Sequence, residues 1–308
     1  MVQRGWFRHL PNGKPISALG FGCASVFARP FFDEAEAQAI LAAAVEEGVN
    51  HFDTGPSYGP AHGERRLGIF LKGRDPSKLV VATKVGSNVL DGQVVRSFTS
   101  ELMERSLNES MKRLCVDHVD FLYLHGPQIS DLSDEVFAFF DRMKAAGRIS
   151  YSAVNSFDPP VLDAVAALPI DAVMLQYNAT DLSAEPQIDR LHEAGKIVMS
   201  GTALGRAKFA LSTFLPRNRA HAWYMARMLR YRPDFLWRGP GLARRLSATG
   251  KPAVEAALQF VTGHPKILSN LFGTSSVRHM VENARAGHGA LTKEQWESLA
   301  QGRRAPAD

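Results

Sequence analysis

The chain has 308 residues, of which 45% are hydrophobic, and its formal net charge is +5. A chain of this length can bury a complete core, and no part of it approaches the ~20 consecutive apolar residues of a membrane span. The N-terminus lacks the pattern of a secretory signal, and Cys23 and Cys115 stand in no metal or redox spacing. These features argue against a membrane protein and a disulfide-rich secreted domain, and we expect a cytoplasmic protein.

The positive charge is concentrated in one segment. Residues 206–245 contain nine arginines and Lys208 against one acidic residue, Asp234, so the segment carries +9 and the rest of the chain about −4. Such a segment suits a phosphorylated ligand or cofactor, and a solvated arginine-rich helix face is an equal alternative. Because the charge is local and no recognition module matches, we do not expect a nucleic-acid partner.

Strands and helices alternate along the chain. Before the first strand, residues 6–16 have Asn12 and Gly13 at their centre, which predicts a β-hairpin. Short apolar runs rich in β-branched residues then predict strands, and amphipathic segments with helical spacing follow them. Asp33 is placed to cap the first helix and Gly48 to end it. The predicted strands are 16–22, 49–53, 79–86, 119–126, 149–156, 172–178, 197–203 and 267–273, and the predicted helices are 33–47, 63–72, 100–114, 133–146, 159–167, 185–194, 253–262 and 276–286.

Eight strand–helix units predict an α/β fold, a closed (β/α)8 TIM barrel with eight parallel strands that forms a single domain over residues 1–308. No Gly-x-Gly-x-x-Gly follows the first strand, which argues against an open dinucleotide-binding sheet. We expect the hairpin to plug the bottom of the barrel. Residues 204–250, with a helix near 221–231, form a long loop after the seventh strand and therefore belong to the catalytic face.

Four ionisable residues occur near the ends of successive predicted strands. Asp53 ends the second strand, Tyr58 follows it in the loop, Lys84 lies near the end of the third, and His125 lies near the end of the fourth. Alone, the aspartate is most simply a cap, the tyrosine a half-buried core residue and the histidine a structural one. A lysine in an apolar strand needs a carboxylate partner, and Asp53 is the nearest candidate. All four in this order predict an active site.

These residue types point to proton transfer to a carbonyl oxygen. A free tyrosine has a pKa of about 10 and is a poor acid at neutral pH, so we expect the Lys84 ammonium to lower the pKa of Tyr58. His125 would orient the substrate oxygen or relay a proton to it. No side chain donates hydride, so a nicotinamide cofactor is required.

At this point the sequence resembles the aldo-keto reductase family over nearly its whole length. The resemblance implies a (β/α)8 barrel, NADPH or NADH bound across the strand ends, and Asp53, Tyr58, Lys84 and His125 as the catalytic tetrad. It rests on the strings Phe52-Asp53-Thr54, Ser57-Tyr58-Gly59, Gly63-Glu64-Arg65-Arg66-Leu67-Gly68, Thr83-Lys84, Leu124-His125, Gln176-Tyr177-Asn178, Gly273-Thr274-Ser275-Ser276 and Glu282-Asn283, together with Asp120.

The resemblance also implies where the cofactor binds. Gln176 would hydrogen-bond the nicotinamide carboxamide, and the backbone of Leu204 and Gly205 would contact the pyrophosphate. The residues that follow the last strand would hold the adenosine phosphate at a helix N-terminus, and Glu282 and Asn283 would contact the adenine. The further cofactor residues implied are Gly22, Cys23, Asp53, Asn155, Ser156, Gly201, Gly273, Thr274, Ser275, Ser276, Arg278 and His279.

The sequence departs from the family pattern at several of these positions. The family usually has serine before asparagine where this chain has Asn155 and Ser156, and many members have a tyrosine at the position of Gly201. NADP-preferring members often have lysine and arginine where this chain has Gly273 and His279. Arg278 can reach a 2′-phosphate, so we expect NADPH, with NADH as the alternative.

The function expected from these observations is the reduction of an aldehyde, ketone or sugar carbonyl with NADPH, with Tyr58 as general acid. Two alternatives remain open: NAD-dependent oxidation of an aldose, and a cofactor-sensing regulatory subunit with little turnover. The intact tetrad favours an enzyme, because a sensor does not need Tyr58 and Lys84. The expected partner is a small carbonyl compound, and the expected state is a monomer or a small homo-oligomer.

Overall fold

The computed structural model describes residues 5–90, 93–205, 222, 223, 226, 229, 230, 241 and 243–301. Within these residues, eight parallel strands close into a barrel. The prediction of a (β/α)8 barrel is therefore confirmed. The strands are β1 (Phe7–His9), β2 (Pro15–Ser17), β3 (Leu19–Gly22), β4 (His51–Asp53), β5 (Val80–Val85), β6 (Ser87–Leu90), β7 (Gln93–Arg96), β8 (Val119–His125), β9 (Ile149–Asn155), β10 (Ala172–Gln176), β11 (Ile197–Gly201) and β12 (Ser269–Phe272). The order of the strands around the barrel is β10, β11, β12, β3, β4, β5, β8, β9.

Helices connect the barrel strands and cover their outer faces. Two of them, α3 (Ser100–Leu114) and α7 (Ala253–Thr262), begin and end at the predicted residues. Asp33 caps α1 (Glu34–Glu46) by accepting a hydrogen bond from the backbone N–H of Glu36 at 2.8 Å. The apolar residues of the strands and of the inner helix faces form the main core. The helices are α1 (Glu34–Glu46), α2 (His62–Leu71), α3 (Ser100–Leu114), α4 (Asp134–Ala145), α5 (Pro159–Val165), α6 (Glu185–Glu193), α7 (Ala253–Thr262), α8 (Val277–His288) and α9 (Lys293–Gln301).

The N-terminal hairpin, β1 paired with β2, packs against the amino-terminal end of the barrel. Leu10 and Ile16 are buried in the same apolar cluster as side chains of the barrel interior such as Phe121. Arg8 donates hydrogen bonds to the carbonyls of Ile267 and Leu268, just before β12, both at 2.7 Å. The predicted hairpin is thus present, and its apolar residues fill the bottom of the barrel.

Strands β6 and β7 and helix α9 were not predicted from the sequence. The antiparallel pair β6–β7 follows β5 directly, with Ser87 opposite Arg96, and α9 follows α8 near the C-terminal end of the described chain. The side chains of β7 are all exposed, so they have no apolar alternation that could indicate a strand. Most of the helix predicted over 221–231 lies outside the described residues.

In the described part of the chain, every helix is too short or too polar to span a membrane.

Candidate active site

The predicted catalytic residues lie at the carboxyl ends of neighbouring barrel strands. Asp53 ends β4, Lys84 lies one residue before the end of β5, and His125 ends β8. Tyr58 lies in the loop that leads from β4 to α2. Because the strands are parallel, their carboxyl ends meet at one mouth. The four side chains therefore share one end of the barrel.

Lys84 and Asp53 form an ion pair beneath this mouth. Lys84 is 0% exposed and Asp53 is 3% exposed, and the Lys84 Nζ donates hydrogen bonds to Asp53 Oδ1 and, at 2.8 Å, to the carbonyl of Thr54. Burial opposes the charge on Lys84, but Asp53 and Tyr58 outweigh it and raise the pKa of Lys84 above its ordinary value. A buried charge survives because its partner compensates the lost hydration, so Lys84 stays protonated at neutral pH.

Tyr58 lies against this ammonium. The Lys84 Nζ is 5.1 Å from the centroid of the Tyr58 ring. Burial raises the pKa of Tyr58, and the opposing effect of Lys84 is smaller. The expectation that Lys84 brings the pKa of Tyr58 below its ordinary value is therefore wrong, because the sequence could not weigh burial against charge. The phenol is protonated at neutral pH, as a proton donor must be, and Lys84 is in place to stabilise the phenolate left after transfer.

His125 faces Tyr58 from the other side. The two rings meet edge to face with centroids 5.7 Å apart, and His125 Nδ1 lies 3.4 Å from Ser57 Oγ. Burial, Lys84 and Arg96 together lower the pKa of His125 to about 3. His125 is therefore a neutral imidazole, which donates a hydrogen bond from one ring nitrogen only. A neutral donor beside Tyr58 suits the orientation of a substrate oxygen better than it suits the supply of protons.

Tight backbone packing holds the loop that carries Tyr58. Gly59 has a positive φ of 59°, and a side chain there would run into the carbonyl of Ala28. Gly63, at the start of α2, lies so close to the Cys23 carbonyl and to Thr54 Oγ1 that a methyl group would not fit without a shift. These glycines allow the loop to approach the barrel and fix Tyr58 above Lys84.

A buried carboxylate joins the helix after Tyr58 to the strand of Lys84. Glu64, on α2, is 0% exposed and accepts hydrogen bonds from Thr83 Oγ1 at 2.7 Å and from Arg113 Nε at 2.6 Å. Since Thr83 precedes Lys84, the network connects α2 to β5 behind the site. Glu64 is part of a sequence motif that carries the family resemblance, but its hydrogen-bond partners are distant in sequence and were not predicted.

The cofactor-binding residues expected in the N-terminal half of the chain also lie at the mouth of the barrel. The strand register places Gly22 beside Asp53 and His125 beside Asn155. Cys23 is fully buried, and burial and Asp53 raise the pKa of its thiol, so it is inert. Asn155 is buried and donates to the Met174 carbonyl at 3.2 Å.

The residues expected to hold the nicotinamide and pyrophosphate come next around the barrel. Ser156 is buried next to Asn155, and Gln176 lies beside Gly201 in the register of β10 and β11. Gln176 Nε2 donates to Asp181 Oδ2 at 3.0 Å, which fixes its amide. Among the described residues, the atom nearest to the position of a Cβ on Gly201 is the Leu175 carbonyl oxygen, at 3.9 Å, so a methyl group would fit there. Leu204 and Gly205 follow in a turn closed by Gly205 N–H to Thr202 O at 2.6 Å.

The N-terminus of α8 fits an anionic group. Ser276 caps the helix without a side-chain hydrogen bond, and the first turn has no acidic residue, so backbone N–H groups remain for a phosphate. Arg278 and His279 are exposed and 3.1 Å apart, and Glu282 lies 3.8 Å from Arg278. The remaining residues of this group are Gly273, Thr274 and Ser275, in the loop from β12, and Asn283, which is buried on the inner face of α8. This set of donors and open surfaces fits a nicotinamide dinucleotide.

Comparison with known proteins agrees with the geometry. The model of the aldo/keto reductase family matches residues 18–303. The chain is 28% identical to a D-threo-aldose 1-dehydrogenase from Pseudomonas sp over 96% of both chains. It is also 28% identical to the L-galactose dehydrogenase of Arabidopsis thaliana, over 89% of this chain and 85% of that one.

Among solved structures, the chain is similar to the aldo-keto reductase AKR11C1 from Bacillus halodurans in its holo form. The TM-score is 0.81 at 27% identity, and the match covers 97% of this chain and 96% of that chain. Together with the barrel and the residues at its mouth, this shows that the chain belongs to the aldo/keto reductase family of NAD(P)-dependent oxidoreductases.

Proposed function

We propose that this protein reduces the carbonyl group of a small aldehyde, ketone or sugar with NADPH, and that Tyr58 is the proton donor. The observation that carries the proposal is the buried Lys84–Asp53 pair beneath a protonated Tyr58. When bound, the cofactor supplies hydride to the carbonyl carbon. The family membership supports carbonyl reduction as the general chemistry.

Side chains of the protein orient the carbonyl oxygen and protonate it. His125, neutral and opposite Tyr58, hydrogen-bonds that oxygen and orients it towards the phenol. As the carbon accepts hydride, the oxygen gains negative charge and takes the Tyr58 proton, which completes an alcohol. The phenolate that remains is stabilised by the Lys84 ammonium, whose own charge is held by Asp53. Reduction therefore needs all four residues, with Tyr58 alone transferring the proton.

Arg278, near the exposed start of α8, supports NADPH over NADH. A guanidinium can bind a phosphate through two hydrogen bonds. Arg278 is exposed, with a ring nitrogen of His279 at 3.1 Å and the Glu282 carboxylate at 3.8 Å. We further propose that the protein acts in the cytosol, as a monomer or a small homo-oligomer. Both of its cysteines are free, which is consistent with a reducing compartment.

A second candidate function is oxidation of an aldose, since two relatives are named as sugar dehydrogenases. The same residues would act in reverse, with the Tyr58 phenolate accepting the hydroxyl proton. The third reading, a cofactor sensor, would bind NADPH with negligible turnover. Initial rates with NADPH and a carbonyl panel, and with NADP⁺ or NAD⁺ and an aldose panel, separate the three.

The test of mechanism is Tyr58→Phe, which removes only the hydroxyl group. We expect kcat to fall about 10²- to 10⁴-fold, the usual contribution of a positioned acid. NADPH affinity, measured by fluorescence titration, should change less than about two-fold, since the ring is kept. A Tyr58→Phe enzyme that turns over within a few-fold of the parent would falsify the assignment of the proton donor.

A further inference from the structure

The unpredicted β6–β7 hairpin brings an arginine to the mouth of the barrel. Arg96 is the last residue of β7 and lies opposite Ser87. Ser87 follows Lys84 by only three residues in the chain. The backbone N–H of Ser97 donates to the Gly86 carbonyl at 3.1 Å, which closes the base of the hairpin. The antiparallel register thus places Arg96 at this base, beside the catalytic strand, and not at the tip.

The side chain of Arg96 reaches towards His125. Its Nη2 donates a hydrogen bond to the carbonyl of Gly126, the residue that follows His125, and its guanidinium carbon lies 5.7 Å from the centroid of the Phe98 ring. Its charge is also one of the causes that lower the pKa of His125. The guanidinium is therefore oriented by two contacts next to a residue expected to hold the substrate oxygen.

Arg96 differs from Arg66 and Arg113 in its charge balance. Arg66 and Arg113 each bind a carboxylate, of Glu34 and Glu64. Within the part of the chain that the structure describes, no carboxylate is close enough to Arg96, at 4.0 Å or less, to form an ion pair with it. The nearby Lys84 is neutralised by Asp53. The mouth beside His125 thus carries an exposed positive charge with N–H donors that face solvent.

We propose that Arg96 determines specificity for carbonyl substrates that carry an anionic group, a carboxylate or a phosphate. This inference rests on the proposed function, because it concerns the substrate of the same site. A guanidinium binds either anion with two parallel hydrogen bonds. With the carbonyl oxygen between Tyr58 and His125, the anionic end of the substrate lies against Arg96.

The carboxylate arm of the test compares succinic semialdehyde with butanal, which has the same carbon chain without the acid. We expect the parent to favour succinic semialdehyde, and Arg96→Met to lower the ratio of the two kcat/KM values about ten-fold, as for a partly screened charged hydrogen bond. Arg96→Lys should keep part of the preference. Arg142→Met is the control, because it removes the same charge from the exposed face of α4 and should leave the ratio unchanged.

The phosphate arm compares glyceraldehyde 3-phosphate with glyceraldehyde in the same variants. A larger Arg96-dependent ratio in this arm assigns the site to phosphorylated carbonyls, and a larger ratio in the first arm assigns it to carboxylates. Equal ratios in Arg96→Met and the parent, for both pairs of compounds, overturn the proposal.

A binding measurement gives a readout that does not depend on turnover. Succinate is titrated into enzyme saturated with NADP⁺, so that phosphate-binding groups of the cofactor site are filled, and binding is followed by calorimetry. We expect Kd to rise about ten-fold in Arg96→Met and to stay constant in Arg142→Met. If the parent reduces no carbonyl compound but succinate binding still depends on Arg96, the proposed function is wrong and the anion site stands. If butanal is reduced and the Kd of succinate is the same in Arg96→Met and the parent, the proposal of an anion site is wrong and the proposed function stands.

Discussion

Replacement of Lys84 by methionine separates the catalytic role of the buried ion pair from its structural role. Met fills a similar volume without charge, so Lys84→Met leaves the Asp53 carboxylate without its ammonium at a position that is 3% exposed. Removing one partner of a buried pair costs about 3–5 kcal/mol. With a urea m-value of about 3 kcal/mol/M, the midpoint of unfolding should fall by about 1 to 1.7 M.

The matched control is the double variant Lys84→Met/Asp53→Asn, which removes the stranded charge as well. We expect it to recover more than half of the lost free energy of unfolding while both variants lose turnover. The stability of Lys84→Met should depend on pH. Burial raises the pKa of Asp53 and Lys84 opposes this effect, so without Lys84 the pKa of Asp53 rises further above its value in the unfolded chain. Protonation of Asp53 then favours the folded state. The deficit of Lys84→Met relative to the parent should therefore shrink as the pH is lowered from 7 towards 5.

Urea unfolding followed by circular dichroism at both pH values measures these quantities. The reasoning is refuted if the double variant is no more stable than Lys84→Met, because the loss would then come from packing and not from an unpaired carboxylate. A deficit in Lys84→Met that stays constant between the two pH values would refute it as well.

Two further predictions concern protonation and the cofactor. His51 and His125 are held neutral with pKa values lowered to about 3, chiefly by burial, so the unfolded chain takes up their protons first as the pH falls below ~6.5. Each of the two histidines should lower the free energy of unfolding by about 1.4 kcal/mol per pH unit below that point. Thermal unfolding from pH 7 to 5 measures this loss. If stability falls as steeply with pH in His51→Asn as in the parent, the role of His51 is contradicted. For the cofactor, Arg278→Ala should lower the ratio of kcat/KM with NADPH to that with NADH about ten-fold, and a parent enzyme that prefers NADH disproves the role of Arg278.

Local sequence patterns were sufficient to predict most of the elements. Helices α3 and α7 match their predicted bounds because amphipathic spacing is a property of consecutive residues. The barrel strands are buried on both faces and read as apolar runs, which is why all eight could be located. The hairpin β6–β7 escaped prediction because the side chains of β7 are all exposed and therefore show no alternation of buried and exposed residues. Arg96 was overlooked with it.

The sequence by itself determined the order of the elements and the identity of the candidate catalytic residues, since the strand ends carry Asp53, Lys84 and His125 in readable positions. Only the tertiary structure decided their electrostatics. Whether Lys84 lowers the pKa of Tyr58 below its ordinary value depends on how burial compares with charge, and burial is larger. The Glu64–Thr83–Arg113 network joins residues far apart in the chain. Such effects depend on distances and on exclusion of water, which the closed barrel sets and a linear pattern does not contain.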